Sequence, residues 1–318
     1  MTTALIALDW GTSRLRAYRV DSRGAIEARR TLDCGISCLP AGGFATALAD
    51  ACADWLAAAP HAPLIASGMV GSRQGWLEAP YVQCPATLDD LAAGLTEVEL
   101  TEVACAAGRV LYIVAGVSMD GGRMPDVMRG EETQVIGAAS AMESVCMESA
   151  CVVLPGTHSK WVDYAHGSIS SFATHMTGEV FALLRGHSIL SVLMEGDGYD
   201  AQAFGDGVMA GQEAGCGGGL LHRLFGVRTL TLFGRLAPHA GASYLSGLLI
   251  GAEIAAAVEH GYGAGAIVLL GSEDLIERYR VAFALLRMQA VAGPDDAAPA
   301  GLTRIAQRAG LISIDRPL

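Results

Sequence analysis

Lys160 is the only lysine in the chain, because arginine supplies the rest of the 21 lysine and arginine residues. It lies in the segment Leu154–Trp161, which joins an apolar run to a Gly-Thr turn. A compact, flexible ammonium at this place could reach an anion held by backbone N–H groups. Chance retention on a surface turn is the alternative. Lys160 is therefore the first candidate for anion chemistry.

The N-terminal segment has the same order of elements as the segment around Lys160. Both segments begin with a short apolar run typical of a buried strand. A turn with Gly-Thr, serine and a basic residue follows, then two strands joined by a glycine turn. The first copy comprises Ala4–Asp9, Gly11, Thr12, Ser13, Arg14, Leu15–Val20 and Ala25–Thr31, and the second Ala150–Leu154, Gly156, Thr157, His158, Ser159, Lys160, Trp161–Tyr164 and Ser168–Phe172. A repeat at roughly half the chain length predicts two related domains.

A Gly-Thr turn after a strand is suited to phosphate. Glycine permits close approach of the backbone, the hydroxyl donates a hydrogen bond, and successive N–H groups form a concave anion site. One such turn alone is more often an ordinary hairpin. Two of them, each with a basic residue, favour binding of the β- and γ-phosphates of ATP between two lobes.

Several longer strings resemble one family of enzymes. The two Gly-Thr turns look like the phosphate loops of the sugar kinase, hsp70 and actin superfamily. More specific strings resemble the 2-dehydro-3-deoxygalactonokinase family over essentially the whole chain: Ser67–Trp76, Pro125–Gln134, Pro155–Trp161 and Thr174–Glu179.

The resemblance implies a fold and an activity. The expected fold is α/β, with two ribonuclease-H-like domains at residues 1–132 and 133–318, mixed sheets flanked by helices, and an active-site cleft between the domains. The expected reaction is ATP-dependent phosphorylation of the 6-hydroxyl of 2-dehydro-3-deoxy-D-galactonate, with Mg²⁺. A kinase of the gluconate epimer or another sugar acid remains open, as does a sensor or activator ATPase of the superfamily.

Phosphoryl transfer to an alcohol needs charge neutralisation on the phosphates and a carboxylate that orients and deprotonates the hydroxyl. Asp9, at the end of the first strand, is the magnesium candidate, with a turn-capping role as the alternative. The resemblance implies a Gly-Asp catalytic pair where this chain has Gly130 and Glu131. We expect Glu131 to be the base, with Glu132 and Asp126 as rivals, and Lys160 to stabilise charge.

The remaining candidates concern the substrate and adenosine. Arg73 is the candidate for the sugar-acid carboxylate, because a guanidinium matches a carboxylate in a bidentate fork. Gln74 and Trp76 would line the same pocket, although Trp76 could instead be a core aromatic. His158 and His175 could orient a ligand or be structural residues. The strand, Gly271, Ser272 and the helix that follows could place backbone N–H groups near a nucleotide, or form a plain connection. The resemblance implies that this place contacts adenosine. The other substrate candidates are Ser67, Gln74 and His175.

Composition restricts the class of protein. A net charge of −12 argues against nucleic-acid binding. The most apolar stretch, Tyr244–Val258, contains Glu253 and is short for a membrane span, so it predicts a buried helix. Eight cysteines without metal-ligand spacing indicate free thiols in a reducing cytoplasm. The expected partner is a small sugar acid, with a homodimer as one option.

The pattern also predicts further elements. Helices are expected at Phe44–Ala58, Thr133–Met147, Glu179–Ile189, Ser243–Glu259, Glu273–Met288 and Leu302–Arg308. Strands are expected at Leu64–Ala66, Val110–Ala115 and Ala266–Leu270, with a loop at Gly293–Pro299 and glycine turns at Gly215–Gly219 and Gly261–Gly265.

Overall fold

The computed structural model describes residues 3–121, 124–144, 148–196, 198–214 and 219–313. These residues form an α/β fold of short strands and helices. The strands are β1 Thr3–Trp10, β2 Leu15–Asp21, β3 Ile26–Leu32, β4 Leu64–Ser67, β5 Tyr81–Gln83, β6 Ala86–Thr87, β7 Thr96–Glu99, β8 Val110–Ile113, β9 Gly116–Met119, β10 Asp126–Met128, β11 Ser149–Leu154, β12 Ser159–Ala165, β13 Ser168–His175, β14 Ile267–Leu269 and β15 Ala290–Ala292. The helices are α1 Phe44–Ala58, α2 Leu88–Ala93, α3 Glu131–Ser144, α4 Thr177–His187, α5 Ala201–Glu213, α6 Leu220–Leu232, α7 Gly241–Glu259, α8 Glu273–Leu285 and α9 Ala297–Arg308.

The chain divides into two compact units. Unit 1 comprises Met1–Glu148, Tyr164–Ser171 and Pro294–Leu318, and unit 2 comprises Ser149–Asp163 and Phe172–Gly293. Unit 2 is thus formed mainly by one stretch of chain that lies between two parts of unit 1. The domain boundary predicted between residues 132 and 133 stays a prediction, because these compact units do not show which residues share a function.

The main sheet of unit 1 has the strand order β3-β2-β1-β4-β8-β7. Strands β1, β2 and β3 pair antiparallel, whereas β4 pairs in parallel with both β1 and β8. Residues Leu5–Leu8 of β1 are all fully buried, as expected of a central strand covered on both faces. Helix α1 covers this sheet with Leu48 and Trp55. A small second sheet has the order β10-β9-β5.

The second six-stranded sheet has the order β15-β14-β11-β12-β13-β6. Strands β11, β14 and β15 pair in parallel. Its run β13-β12-β11-β14-β15 repeats the run β3-β2-β1-β4-β8 of unit 1. Two mixed sheets flanked by helices confirm the predicted α/β class, and the repeated strand order supports the predicted duplication. The predicted cleft stays a prediction.

Helix α7 is the apolar helix predicted to be buried. The segment Pro238–Glu259 is long and apolar enough to cross a membrane, but 78% of its most apolar window is buried within the protein. Its glycines Gly247 and Gly251 face the backbone of α5, and a Cβ at either position would overlap a carbonyl oxygen of that helix. Close approach of the two backbones therefore requires glycine, and α7 is a core helix of unit 2.

Several predicted boundaries are wrong. The predicted loop Gly293–Pro299 ends earlier, since α9 begins at Ala297. Pro299 lies in the first turn of α9, where its missing N–H group costs no hydrogen bond. Helix α8 ends at Leu285 and not at Met288, because Arg287 adopts a φ of 59°. Strand β8 ends at Ile113, and α4 spans Thr177–His187.

Helix α3 begins at Glu131, two residues before the predicted start, so both candidate glutamates lie in its first turn. Its predicted last residues, 145–147, lie outside the described residues, as does most of the predicted turn Gly215–Gly219. The turn predicted at Gly261–Gly265 is confirmed.

Candidate functional site

The first Gly-Thr loop is fixed by a neighbouring backbone segment. The carbonyl oxygens of Gly11, Thr12 and Ser13 accept hydrogen bonds from N–H groups of residues 35–37, at 3.0–3.1 Å. In a trans peptide the C=O group points opposite to the N–H group of the next residue. The N–H groups of Thr12, Ser13 and Arg14 therefore all point away from residues 35–37. Parallel N–H groups of this kind can bind an anion.

Gly35 lets this segment approach the loop. A Cβ at Gly35 would overlap backbone atoms of Thr12 and Ser13. The Ser37 hydroxyl also donates to the Thr12 carbonyl oxygen, at 2.8 Å. Arg14 is largely exposed, with its Nε 3.4 Å from the Asp33 carboxylate. The loop backbone is thus held by hydrogen bonds and carries an exposed guanidinium, which suits a polyanionic ligand.

Asp9 is the penultimate residue of β1, beside this loop. It lies opposite Ser67 in the parallel pairing with β4, and Arg16 Nη1 contacts its Oδ2 at 2.8 Å. Burial raises the pKa of Asp9, Arg16 lowers it, and the charge of Glu131 raises it further. Asp9 and Glu131 are therefore close enough to interact electrostatically. The structure brings these two predicted residues together.

Two glycines position the start of α3 against the end of β1. A Cβ at Gly68 would lie 2.8 Å from the Trp10 carbonyl oxygen, and one at Gly130 would lie 3.1 Å from the Gly68 Cα. Both have positive φ values, 92° and 110°. The Thr133 hydroxyl donates to the Gly130 carbonyl oxygen at 2.6 Å and lies 3.2 Å from Ser67 Oγ. These contacts place the first turn of α3 beside Asp9.

The two glutamates of this turn have different environments. Glu131 is partly exposed, and its Oε2 accepts from the Arg129 N–H group at 3.1 Å. Glu132 is fully buried; its Oε2 accepts from the Gly130 N–H group at 2.6 Å, while Oε1 has no hydrogen-bond partner among the described residues. Burial, and then the charge of Glu131, raise the pKa of Glu132 to about 8. Glu132 is therefore mainly protonated at neutral pH, and Glu131 is the glutamate of this turn that is open to solvent.

Asp126, the third candidate for the base, lies in β10. Its Oδ1 accepts from the Val127 N–H group at 2.8 Å. Its carboxylate thus has a local contact with its own strand, whereas Glu131 is electrostatically coupled to Asp9.

Arg129 is a buried cation that the sequence reasoning did not select. Its Nη2 donates to the Ala79 carbonyl oxygen at 2.8 Å, and its guanidinium lies 4.2 Å from the Tyr81 ring centroid. Its Nε and Nη1 are buried without hydrogen-bond partners among the described residues. Its place directly before the Gly130 turn was the available signal. A buried guanidinium with free donors is suited to an anionic group.

The predicted substrate residues of unit 1 do not all come together. Ser67 is buried beside Asp9, as its register shows. Arg73 is 82% exposed, 3.6 Å from Glu78, and Gln74 is also exposed. Trp76 packs on the core, stacked on Phe44 with ring centroids 5.7 Å apart. The structure therefore supports the core interpretation of Trp76.

The second Gly-Thr loop, Gly156–Ser159, is held by the start of α4. The Glu179 N–H group donates to the Thr157 carbonyl oxygen at 3.0 Å, and His158 Nε2 lies 2.5 Å from Glu179 Oε2. A Cβ at Gly178 would overlap the Gly156 carbonyl oxygen. Thr157 and His158 are exposed. The exposed side of this loop thus presents a hydroxyl and an imidazole.

Lys160 lies in β12 and is only 4% exposed. Its Nζ donates to the His158 carbonyl oxygen at 3.0 Å. The ammonium therefore contacts the loop's own backbone, a position consistent with shaping the loop. Its predicted contact with a phosphate stays a prediction.

A buried hydrogen-bond network lies beneath the second loop. Glu253 of α7 accepts from Trp161 Nε1 at 2.8 Å and from the Tyr279 hydroxyl at 2.7 Å. The Tyr279 oxygen lies 3.2 Å from Ser159 Oγ. Sequence reasoning missed this network, although a glutamate in the middle of an apolar helix was a signal for it.

The other candidates of unit 2 lie at strand ends. Gly271 and Ser272 follow β14 and precede α8; a Cβ at Gly271 would lie 3.4 Å from the Pro155 carbonyl oxygen. This places the strand-to-helix connection beside the second loop. His175 is the last residue of β13 and is partly buried.

The described residues contain no group of three or more histidine, cysteine or acidic side chains placed to hold a metal ion. Six cysteines are free, and Cys146 and Cys216 lie outside the described residues. Magnesium needs only one or two carboxylates together with substrate phosphates. Asp9 and Glu131 fit this requirement, because their mutual repulsion would be relieved by a cation.

Comparison with known proteins assigns this arrangement to a class of sugar-acid kinases. The sequence matches the 2-keto-3-deoxy-galactonokinase family over residues 9–305. It is 38% identical over 314 residues to "Probable 2-dehydro-3-deoxygalactonokinase DgoK1" of Rhizobium meliloti (strain 1021), with 96% of this chain and 98% of the relative covered. It is 35% identical over 308 residues to 2-dehydro-3-deoxygalactonokinase of Escherichia coli (strain K12), with the same coverage of each chain.

A crystal structure of a Sinorhizobium meliloti protein assigned to the same kinase superimposes with a TM-score of 0.86 at 36% identity. The superposition covers 95% of this chain and 98% of that one. The chain belongs to the 2-keto-3-deoxy-galactonokinase family, as the sequence motifs predicted.

Proposed function

We propose that this protein is a 2-dehydro-3-deoxygalactonokinase that transfers the γ-phosphoryl group of ATP to the 6-hydroxyl of 2-dehydro-3-deoxy-D-galactonate. The activity is the one that the family and both curated relatives carry in their names. The observation that carries the proposal is the repeated loop. In each main sheet, the central strand of the repeated order, β1 or β11, leads into a Gly-Thr turn held by backbone contacts.

The first loop supports phosphate binding through its backbone. Three consecutive N–H groups, those of Thr12, Ser13 and Arg14, are directed to one side because their carbonyl partners are bound on the other. The exposed Arg14 guanidinium would add charge to the same ligand. In the second loop the Thr157 hydroxyl and the His158 ring are exposed, so they are the side chains available to a nucleotide. Gly271 and Ser272 remain our candidates for the adenosine contact.

Glu131 is our candidate for the general base. It is partly exposed, whereas Glu132 is buried with a pKa of about 8 and is therefore mainly protonated at neutral pH. A base must hold its charge and reach the substrate hydroxyl. Glu132 would then act by holding the Gly130 turn through its bond to the Gly130 N–H group.

Asp9 is our candidate for the magnesium site, with Glu131 as its neighbour. Bound magnesium would neutralise charge on the phosphates during transfer. The buried position of Asp9, beside a partly exposed arginine and a second carboxylate, supports this assignment.

Two arginines are candidates for the sugar-acid carboxylate. Arg73 stays a candidate because its guanidinium is exposed. Arg129 is the second candidate, because Nε and Nη1 are buried without partners among the described residues. The other substrate candidates are Ser67, Gln74, Trp76 and His175. The KM for the sugar acid, measured on a variant of each residue, would show which of them bind the substrate.

A cytoplasmic location and a homodimer remain expectations for such a metabolic kinase.

The experiment measures ADP release from Mg-ATP with 2-keto-3-deoxygalactonate, with its gluconate epimer and with no acceptor. Strong stimulation by the galactonate compound and weak stimulation by the epimer is the expected result. Equal stimulation would instead make the protein a broader sugar-acid kinase. Release without an acceptor would favour a sensor or activator ATPase, and no release in any arm would refute the kinase.

A further inference from the structure

The Ser159 hydroxyl lies in the second loop, where a phosphate donor is expected, but it is fully buried. Its Oγ is 3.2 Å from the Tyr279 hydroxyl oxygen, which is also buried. Gly156 N, at the start of the loop, approaches Ser159 Oγ at 3.5 Å, a long hydrogen bond. The polar neighbours of Ser159 Oγ named here are thus the first residue of the loop and a buried tyrosine of α8.

The direction of each hydrogen bond follows from the groups involved. The indole Nε1–H group of Trp161 can only donate, so Glu253 Oε1 accepts from it at 2.8 Å. Tyr279 donates its single proton to Glu253 Oε2 at 2.7 Å. Burial, and then the Glu253 charge, raise the pKa of Tyr279 well above its ordinary value, which keeps that proton in place.

The Tyr279 oxygen, with its proton committed to Glu253, can only accept from Ser159. The Ser159 proton is therefore committed as well, and its oxygen is left to accept from the Gly156 N–H group. A single chain of donors runs from the loop to a buried carboxylate: Gly156 to Ser159, Ser159 to Tyr279, and Tyr279 to Glu253.

We propose that Ser159, Tyr279 and Glu253 are positioning residues that fix the second loop for nucleotide binding, and that Ser159 is not a phosphate donor. This inference rests on the proposed function, because it assigns the second loop to the nucleotide. The loop spans only a few residues, so loss of its inner anchor would displace the peptide groups that face outward. Buried networks that are fully hydrogen-bonded give this kind of rigidity.

The test is a double-mutant cycle on ATP binding, with Ser159→Ala, Tyr279→Phe and the double variant, measured by calorimetric titration at a temperature where all are folded. If this chain of hydrogen bonds acts as one unit, each single variant raises the ATP dissociation constant about tenfold. The double variant then binds ATP no more weakly than either single variant. kcat at saturating ATP should change less than KM for ATP. Tyr199→Phe, at a half-exposed tyrosine of unit 2, is the matched control and should bind ATP like the wild type.

Three other results would contradict the proposed positioning role, and each has a different meaning. Weaker binding for Ser159→Ala with normal binding for Tyr279→Phe would mean that Ser159 contacts the phosphates directly. Lower thermal stability for Tyr279→Phe with an unchanged ATP dissociation constant would mean a structural role only. A wild-type protein that binds no ATP would refute the proposed function itself, whatever the variants do.

Discussion

Glu131 and Glu132 are adjacent in sequence, but Glu131 is partly exposed and Glu132 is fully buried. Helix geometry turns successive side chains by about 100° around the axis, so one faces outward and its neighbour faces the interior. Glu131→Gln should therefore lower kcat by about 10²- to 10⁴-fold, the usual contribution of a general base, with small changes in either KM. Steady-state kinetics with both substrates provide the measurement. Glu97→Gln, on the exposed edge strand β7, is the control, and a near-normal kcat for Glu131→Gln would exclude it as the base.

Glu132 should make the stability of the protein depend on pH. Its pKa is about 8 in the folded protein against an ordinary 4.5, so the unfolded chain loses this proton first as pH rises. The contribution of Glu132 to stability is therefore full below about pH 4.5 and falls by about 1.4 kcal/mol per pH unit up to about pH 8.

Glu132→Gln should remove this dependence while retaining a hydrogen-bond acceptor for the Gly130 N–H group. Urea unfolding of both proteins at several pH values between 5 and 8 measures it. The stability of the variant relative to the wild type should rise with pH. Parallel curves for the two proteins would show that Glu132 has an ordinary pKa.

The sequence predicted correctly the features that depend on local backbone structure alone. The Gly-Thr loops follow β1 and β11, and Asp9 lies one residue before the end of β1. The environment of a side chain was less predictable, since it depends on residues far away in sequence. Trp76 packs on Phe44 and Trp10, and Lys160 is buried in β12. Arg129 and Glu253 each had a local signal, a following glycine turn and an apolar helix, but their partners Ala79, Trp161 and Tyr279 are distant in sequence.

Among the larger elements, helix α4 can approach the second loop closely because residue 178 is a glycine. Gly178→Ala would place a methyl group on the Gly156 carbonyl oxygen, so the loop must move. We expect KM for ATP to rise about tenfold or more, because small displacements of a binding group are costly. Gly186→Ala in the same helix is the matched control, as a Cβ there meets nothing within 4 Å. Equal kinetics for the two variants would show that the contact does not govern nucleotide binding.

Elements with strong local signals were predicted well. Helix α1 has the predicted bounds, Phe44–Ala58, and β1 and β11 extend the predicted apolar runs by a residue or two. Short strands such as Tyr81–Gln83 and Ala290–Ala292 were missed, because three residues carry little pattern and their pairing partners are distant in sequence. Pro299 misled the prediction of α9, since proline is common both in loops and in the first turn of a helix.

Helix α9, near the end of the chain, packs against α3 and so joins two distant segments of the molecule within unit 1. A Cβ at Gly301 would overlap the Thr133 carbonyl oxygen, and Arg304 Nη1 donates to the Ile136 carbonyl oxygen at 3.1 Å. Gly301→Ala should lower the free energy of unfolding by about 1–3 kcal/mol or more, as overpacking does. It should also lower kcat, because α3 carries Glu131.

Urea denaturation and steady-state kinetics measure the two effects of Gly301→Ala together. Gly226→Ala in α6 is the control, since a Cβ there meets no atom within 4 Å. Wild-type stability for Gly301→Ala would show that the two helices can separate without cost.

The place of α9 in unit 1 has a consequence for biosynthesis. Helix α3 leaves the ribosome long before α9, because residues 149–293, mostly unit 2, are made in between. At about 5–20 residues per second, the face of α3 that packs against Ala297 and Gly301 stays uncovered for about ten to thirty seconds. During that interval the nascent chain can complete most of unit 2 while unit 1 lacks its last helix. We therefore expect ribosome-bound chains that stop before residue 297 to be the form that chaperones bind most strongly.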